Sequence, residues 1–197
     1  MIFRPRPARG SRGAAVAVLA MLLVAVMLAG PARAATLTVT NTNDAGDGSL
    51  RQQIAGAAPG DTIVFSVTGP IVLTGGQLVV NKDLTIAGPG AKNLTVSGNN
   101  QSRVFEVASG AQIEISGLTI TGGRVVGSAG LSGVNGSTGT NGGTNGQNGG
   151  DAGGGGVLNN GTLTLRDVSV SANTATGGAG GAGGRGGRWS QQYVRFQ

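Results

Sequence analysis

Few residues of this chain could do chemistry. It has no histidine and no cysteine, so carboxylates are the candidate acids, bases and metal ligands. The acidic side chains are Asp44, Asp47, Asp61, Asp83, Glu106, Glu114, Asp151 and Asp167. Polysaccharide hydrolysis uses two carboxylates on one face, and Glu106 with Glu114 is the nearest candidate pair. Two outward glutamates on a solvated strand face explain the pattern as well, so we assign no catalytic residue.

Two segments have some features of calcium sites. Asp44-Ala-Gly-Asp47-Gly48 resembles part of a calcium-binding loop, but calcium takes about six to eight oxygen ligands. A turn ahead of a helix accounts for these residues equally well. Gly149-Gly-Asp-Ala-Gly153 resembles a calcium-binding nonapeptide, which binds only in a series of repeats. We therefore expect no metal site and no cofactor.

The elements that would position such side chains are short alternating segments. Five of them share an apolar–polar–apolar pattern: Leu84-Thr-Ile86, Leu94-Thr-Val96, Ile113-Glu-Ile115, Leu118-Thr-Ile120 and Leu163-Thr-Leu165. Alternation sends the apolar residues to one face of a strand. Such strands bury that face by stacking on their copies.

The spacing between copies predicts an all-β fold, a right-handed parallel β-helix over residues 35–176. Leu84 precedes Ile113 by 29 residues, and Leu94 precedes Leu118 by 24. Four apolar residues each have an apolar counterpart 50 positions later: Ile113 and Leu163, Ile115 and Leu165, Leu118 and Val168, and Ile120 and Val170. An antiparallel sandwich would also fit regular strands, but Asn-Gly hairpin turns are few.

A short helix is predicted ahead of the stack. Ser49 and Gln52 form a capping box, and Leu50 and Ile54 share one helical face. Pro59 ends the helix. We expect it to cover the open edge of the first coil.

Two glycine-rich segments follow. Residues 122–156 contain sixteen glycines, and we predict a flexible surface loop insertion that folding does not need. Residues 177–197 are predicted to be a glycine-rich segment and an irregular tail. Because no double strand follows Val170, we expect a β-helix incomplete at its C-terminus. The alternative is a tail that lays Trp189, Tyr193 and Phe196 over the last coil.

The N-terminus predicts a secretory signal peptide, residues 1–34. Four arginines precede an apolar run over Ala14–Ala29, and Ala32-Arg-Ala34 supplies the small residues of a cleavage site. The alternative is a membrane anchor, for which sixteen apolar residues are short. We expect a secreted or cell-surface protein, outer membrane-associated, after cleavage near Ala34.

Cleavage would remove most of the positive charge. The net charge of +6 falls to +1, because nine basic and eight acidic residues remain after Ala34. That balance excludes nucleic acid as a partner. Membrane contact is expected only through the signal peptide or an anchor outside this sequence.

Several segments resemble bacterial secreted right-handed parallel β-helix proteins with a Cys-Ser-Leu-Arg-Glu-Ala-like segment. They are Asn41–Asp44, Gly48–Ile54, Pro59–Ile63, Leu84–Ile86 and Gly117–Ile120. Gly154–Val157 and Ser171–Ala175 are similar to repeats of polymorphic outer membrane proteins. Gly48 stands where the family often has cysteine, and Gln52 replaces its glutamate. The resemblance implies a surface or secreted β-helix and no particular reaction.

The expected function is that of an exported, non-enzymatic β-helix module for cell-surface architecture or adhesion. Surface glycans or other surface proteins would be its partners. The alternative is a carbohydrate-active enzyme, a polysaccharide lyase or hydrolase, on the same fold with its site in a missing C-terminal part. A row of carboxylates on successive coils would favour the enzyme, and the sequence shows none.

Overall fold

The structure is a computed structural model that describes residues 34–137 and 142–186. The chain divides into two units, residues 1–33 and residues 34–197. Nearly all of the predicted signal peptide and the predicted tail from residue 187 onward lie outside the described residues. Within the described ranges, no helix is both long and apolar enough to cross a bilayer.

The described residues form short strands and one helix. In chain order they are β1 (Thr36–Val39), α1 (Leu50–Gly56), β2 (Asp61–Phe65), β3 (Gly69–Val72), β4 (Leu78–Val80), β5 (Leu84–Ala87), β6 (Leu94–Ser97), β7 (Phe105–Val107), β8 (Gln112–Ser116), β9 (Thr119–Thr121), β10 (Arg124–Val126), β11 (Val157–Asn159), β12 (Thr162–Arg166), β13 (Ser169–Ser171) and β14 (Thr174–Thr176).

The strands confirm the predicted parallel β-helix. One sheet has the order β1-β2-β5-β8-β12, a second β3-β6-β9-β13 and a third β4-β7-β11, while β10 pairs with β14. Every strand pair is parallel. Leu84 lies opposite Ile113, which lies opposite Leu163. The offsets of 29 and 50 residues in the sequence are therefore steps between neighbouring coils.

The core is a stack of aliphatic side chains. Ile63, Ile86 and Ile115 are fully buried and follow one another in register through the five-stranded sheet. Phe105 is the largest fully buried side chain. The last coil differs, because Leu165 is 42% exposed and Val170 is 51% exposed. Its apolar side chains have no further coil beneath them among the described residues.

Helix α1 begins at Ser49 as predicted, but only the N-cap half of the capping box forms, because the Ser49 backbone nitrogen donates to the carbonyl oxygen of Gly46. Ser49 is its N-cap, with a side-chain oxygen that accepts a hydrogen bond from the Gln52 backbone at 3.2 Å. Leu50 and Ile54 are the buried residues of the helix. At the other end, Lys82 donates to the carbonyl oxygens of Ile54, Ala55 and Ala57. A cation at the C-terminal carbonyls stabilises the helix.

The glycine-rich segments have a regular structure that the sequence analysis did not predict. Three segments, residues 127–136, 144–150 and 178–184, are joined by backbone hydrogen bonds at every third residue. Gly130 donates to Ala179, Gly181 donates to Gln147, and Gln147 donates to Leu131. We call these three segments the glycine bundle. The insertion between β10 and β11 is thus a loop held by backbone hydrogen bonds, and its dispensability for folding stays a prediction.

The period of three explains why glycine is needed in the bundle. A repeat of three residues is that of the polyproline II helix, and only glycine fits where such chains approach closely. A Cβ atom at Gly130, Gly146 or Gly181 would collide with a backbone carbonyl oxygen of a neighbouring segment.

Candidate functional site

The outer face of the five-stranded sheet carries the polar side chains best placed to bind a ligand. Alternation along β5, β8 and β12 turns the core residues inward and their neighbours outward. Thr85, Glu114 and Thr164 lie opposite one another in register and form one outward row. A groove of about 250 Å³ crosses this face. It is lined by Gly60, Asp83, Leu84, Thr85, Gln112, Ile113, Glu114, Thr162 and Thr164.

Glu114 forms an ion pair at the edge of this groove. Its Oε1 atom lies 2.7 Å from Nε of Arg166 on the next strand. The two side chains are 39% and 65% exposed, so the pair adds little to stability. No other side-chain hydrogen bond is found for Arg166 in the part of the chain described. Its terminal nitrogens can therefore donate to a ligand.

Asp83 provides a second carboxylate in the groove. Its Oδ1 atom accepts a hydrogen bond from the Gln112 backbone at 2.8 Å, and its carbonyl oxygen accepts one from Gly60 at 2.7 Å. These bonds fix the residue at the start of β5. Oδ2 has no hydrogen-bond partner among the described residues. The groove is thus lined by two carboxylates beside hydroxyl and amide groups, and the Arg166 guanidinium lies next to it through the contact with Glu114.

The structure separates the two glutamates that the sequence suggested as a pair. Glu106 lies on β7, in a different sheet from Glu114. Its carboxylate accepts a hydrogen bond from Gln77 and lies 3.7 Å from Arg103. Arg103 also donates to the carbonyl oxygens of Gly153 and Gly154, each at 2.7 Å. This cluster ties the return of the glycine-rich segment to the coils, which is a structural role.

In the calcium-like segment, both carboxylate oxygens of Asp44 bind other groups of this chain. Its Oδ1 atom lies 2.7 Å from Nη2 of Arg51, and Oδ2 accepts from the backbones of Thr74 and Gly75 at 2.9 and 2.6 Å. Burial raises the pKa of Asp44, but the hydrogen bonds from Arg51, Gly75 and Thr74 and the charge of Arg51 outweigh it. The pKa therefore lies below its ordinary value of 3.8.

The described residues contain no group of three or more acidic side chains that could hold a metal ion. Asp47 is exposed and does not join Asp44 around a common centre. Asp151 and Asp167 are exposed as well.

Arg166, beside the groove, was not among the candidate residues of the sequence analysis, and Asp83 was named there only as one of eight acidic residues. The offset of 50 residues that maps Ile113 onto Leu163 also maps Glu114 onto Thr164. Arg166 lies two residues beyond Thr164 on the same outward face of β12, opposite Ser116, and within reach of Glu114. The 50-residue offset in the sequence therefore contained the information that places Arg166 near Glu114.

Comparison with known proteins gives one partial similarity. No protein-family profile matches the chain, and no solved structure matches it. Over 66 residues the chain is 46% identical to a probable pectate lyase C of Aspergillus flavus and to one of Aspergillus oryzae. The matched stretch is 32% of this chain and only 15% of each relative.

This similarity overturns part of the sequence-based expectation. The prediction of a non-enzymatic module for surface architecture or adhesion is wrong, because the relatives carry the name of a polysaccharide-cleaving enzyme. The prediction that the chain is not an enzyme is wrong for the same reason. The comparisons favour the alternative, a carbohydrate-active enzyme on a parallel β-helix. They do not support the resemblance to bacterial β-helix families.

Proposed function

We propose that this chain belongs to an exported polysaccharide lyase whose substrate is an acidic polysaccharide of the pectate class. The 46% identity to probable pectate lyase C over 66 residues carries the proposal. The parallel β-helix and the polar groove on its five-stranded sheet are consistent with it. The activity, the substrate and the partners of the whole protein are part of this proposal, since the match covers a small share of the relatives.

The groove, together with Arg166 beside it, has groups that suit a polyuronate chain. Each sugar of such a polymer carries hydroxyl groups and one carboxylate. Thr85, Thr164 and Gln112 can exchange hydrogen bonds with hydroxyls. Arg166 can place two parallel N–H groups on a carboxylate, which is the geometry that guanidinium favours.

Glu114 is the base that we propose for the reaction. A lyase removes the proton from the carbon next to the uronate carboxylate, and the bond from the neighbouring carbon to the glycosidic oxygen breaks. A carbon–carbon double bond forms, and the departing oxygen takes a proton from water. Arg166 would neutralise the substrate carboxylate and thereby acidify that carbon, while Glu114 beside it would accept the proton.

Export is the third part of the proposal. A polymer of this kind is too large to enter a cell, so the enzyme must reach it outside. The basic start, the apolar run and Ala32-Arg-Ala34 support export. A polysaccharide is then the partner class, which is narrower than the surface glycans or other surface proteins of the sequence analysis.

Replacing Glu114 with glutamine should lower the rate of polygalacturonate cleavage by about a hundredfold or more, which is typical for loss of a general base. The rate is followed by the ultraviolet absorbance of the unsaturated product. Thermal unfolding should change little, since the ion pair is exposed. Glu106→Gln is the matched control on another sheet and should retain the full rate. If Glu114→Gln cleaves polygalacturonate at the full rate, Glu114 is not the base.

A further inference from the structure

Asp61 is a carboxylate in a row of core side chains. It lies opposite Leu84, which is followed by Ile113 and Leu163 in register. Asp61 is only 5% exposed. An ionised group at such a position costs free energy unless hydrogen bonds and an opposite charge compensate it.

The partners of Asp61 provide hydrogen bonds but no cation. Oδ1 accepts from the backbone nitrogen of Ala35 at 2.7 Å, and Oδ2 accepts from the backbone nitrogen of Ala58 at 2.7 Å. Within residues 34–137 and 142–186, no lysine or arginine forms an ion pair with Asp61. The buried carboxylate therefore has two neutral donors.

One of these donors stands at the predicted cleavage site. Ala35 follows Ala32-Arg-Ala34, whose small residues are those that a signal peptidase reads. We propose that export processing cuts between Ala34 and Ala35, and that the new α-ammonium group of Ala35 forms an ion pair with Asp61. Processing would then create the cation that the buried carboxylate lacks.

The hydrolysis balances with one water molecule. Its hydroxyl goes to the carbonyl carbon of Ala34, which leaves as a carboxylic acid, and its remaining proton goes to the Ala35 nitrogen. That amine takes a further proton from solvent, because an α-amino group has an ordinary pKa of about 7.7–8.0. The nitrogen already lies at hydrogen-bond distance from Oδ1, so no rearrangement is needed.

The surroundings of Ala35 suit a charged chain end. The residue is exposed, so the ammonium keeps water on one side while it donates to Asp61. Its carbonyl oxygen accepts a hydrogen bond from Thr62 at 2.9 Å. Ala35 is thus held at both of its backbone polar groups, which fixes the first strand in register on β2. The ion pair would stabilise only the processed chain, because Ala35 has an ammonium group only after cleavage.

N-terminal sequencing of the exported protein gives the first test, and we expect Ala35 as the first residue. A different mature N-terminus overturns the proposal. A second precursor carries one extra alanine between Ala34 and Ala35, so that cleavage leaves the ammonium one residue upstream. We expect this insertion to raise the unfolding equilibrium constant roughly tenfold, as loss of a charge-assisted hydrogen bond would.

The same insertion in Asp61→Asn should change that constant less than twofold, because no carboxylate remains to couple. In the control Asp83→Asn the tenfold effect should persist. If the insertion changes the unfolding equilibrium constant equally in the wild type and in Asp61→Asn, the proposed ion pair does not form. If Asp61→Asn fails to fold, the proposal is tested instead by the rate at which a reagent acylates the α-amine of the exported protein. We expect a rate about tenfold lower with the mature start than with the inserted residue, and equal rates would contradict the proposal.

Discussion

Replacing Asp44 with alanine should lower the free energy of unfolding by about 3 kcal/mol. The side chain is 8% exposed and bonds Arg51, Thr74 and Gly75. Removing it leaves two backbone donors without their acceptor. Arg51 keeps its bonds to the carbonyl oxygens of Gly76 and Gln77 but loses its counter-charge, and hydrogen bonds to charged groups contribute about 1.5–3 kcal/mol each. The loss should be large because Asp44 joins the loop before α1 to the turn after β3.

Chemical denaturation measures this loss, with Asp47→Ala as the matched control. Asp47 lies three residues away in the same loop and is exposed, so its replacement should cost less than about 0.5 kcal/mol. If the two variants unfold at the same denaturant concentration, the Asp44 contacts do not hold the loop in place.

The same contacts should make the free energy of unfolding depend on pH. The pKa of Asp44 is lower in the folded chain than its ordinary value of 3.8. Its contribution is therefore complete above that value and is lost as the pH falls through the folded-state pKa. The difference in unfolding free energy between the wild type and Asp44→Asn should shrink below a pH of about 4.

Replacing Gly181 with alanine should open the glycine bundle. A Cβ atom there would collide with the carbonyl oxygen of Leu131, and the hydrogen bond from Gly181 to Gln147 at 2.8 Å would be lost. We expect the bundle amides of Gly130 and Gln147 to exchange with solvent about a hundredfold faster. Amides of the five-stranded sheet should keep their protection.

Gly180→Ala is the control for this change. A Cβ atom at Gly180 would stand 3.8 Å from the nearest atom, the carbonyl oxygen of Gln147, which is an ordinary contact. Its exchange rates should match those of the wild type. Equal protection in Gly181→Ala and Gly180→Ala would show that the three segments do not pack as closely as the structure has them.

The coils could be predicted from the sequence because similar residues recur at the offsets that set the register between strands. An offset of 50 between Ile113 and Leu163 survives a long insertion, since both residues must fill the same core row. Ser49 and Gln52 likewise revealed the start of α1, because an N-cap is a local feature. These parts of the fold depend on side chains close in sequence or repeated along it.

The glycine bundle and the groove could not be predicted by the same means. A count of glycines in residues 122–156 suggested an unstructured segment, whereas their period of three is what allows close backbone pairing. The groove depends on register between coils, which brings Arg166 to Glu114 across 52 positions of sequence. Glu106 and Glu114 are close in sequence and yet lie on different sheets.

Product formation from polygalacturonate is the most direct test of the proposed lyase. The exported chain is incubated with the polymer, and the products are examined by ultraviolet absorbance and mass spectrometry. Elimination leaves a carbon–carbon double bond at the new non-reducing end, so we expect products lighter by one water than those of hydrolysis. Saturated products, or an unchanged polymer in the presence of folded protein, would contradict it.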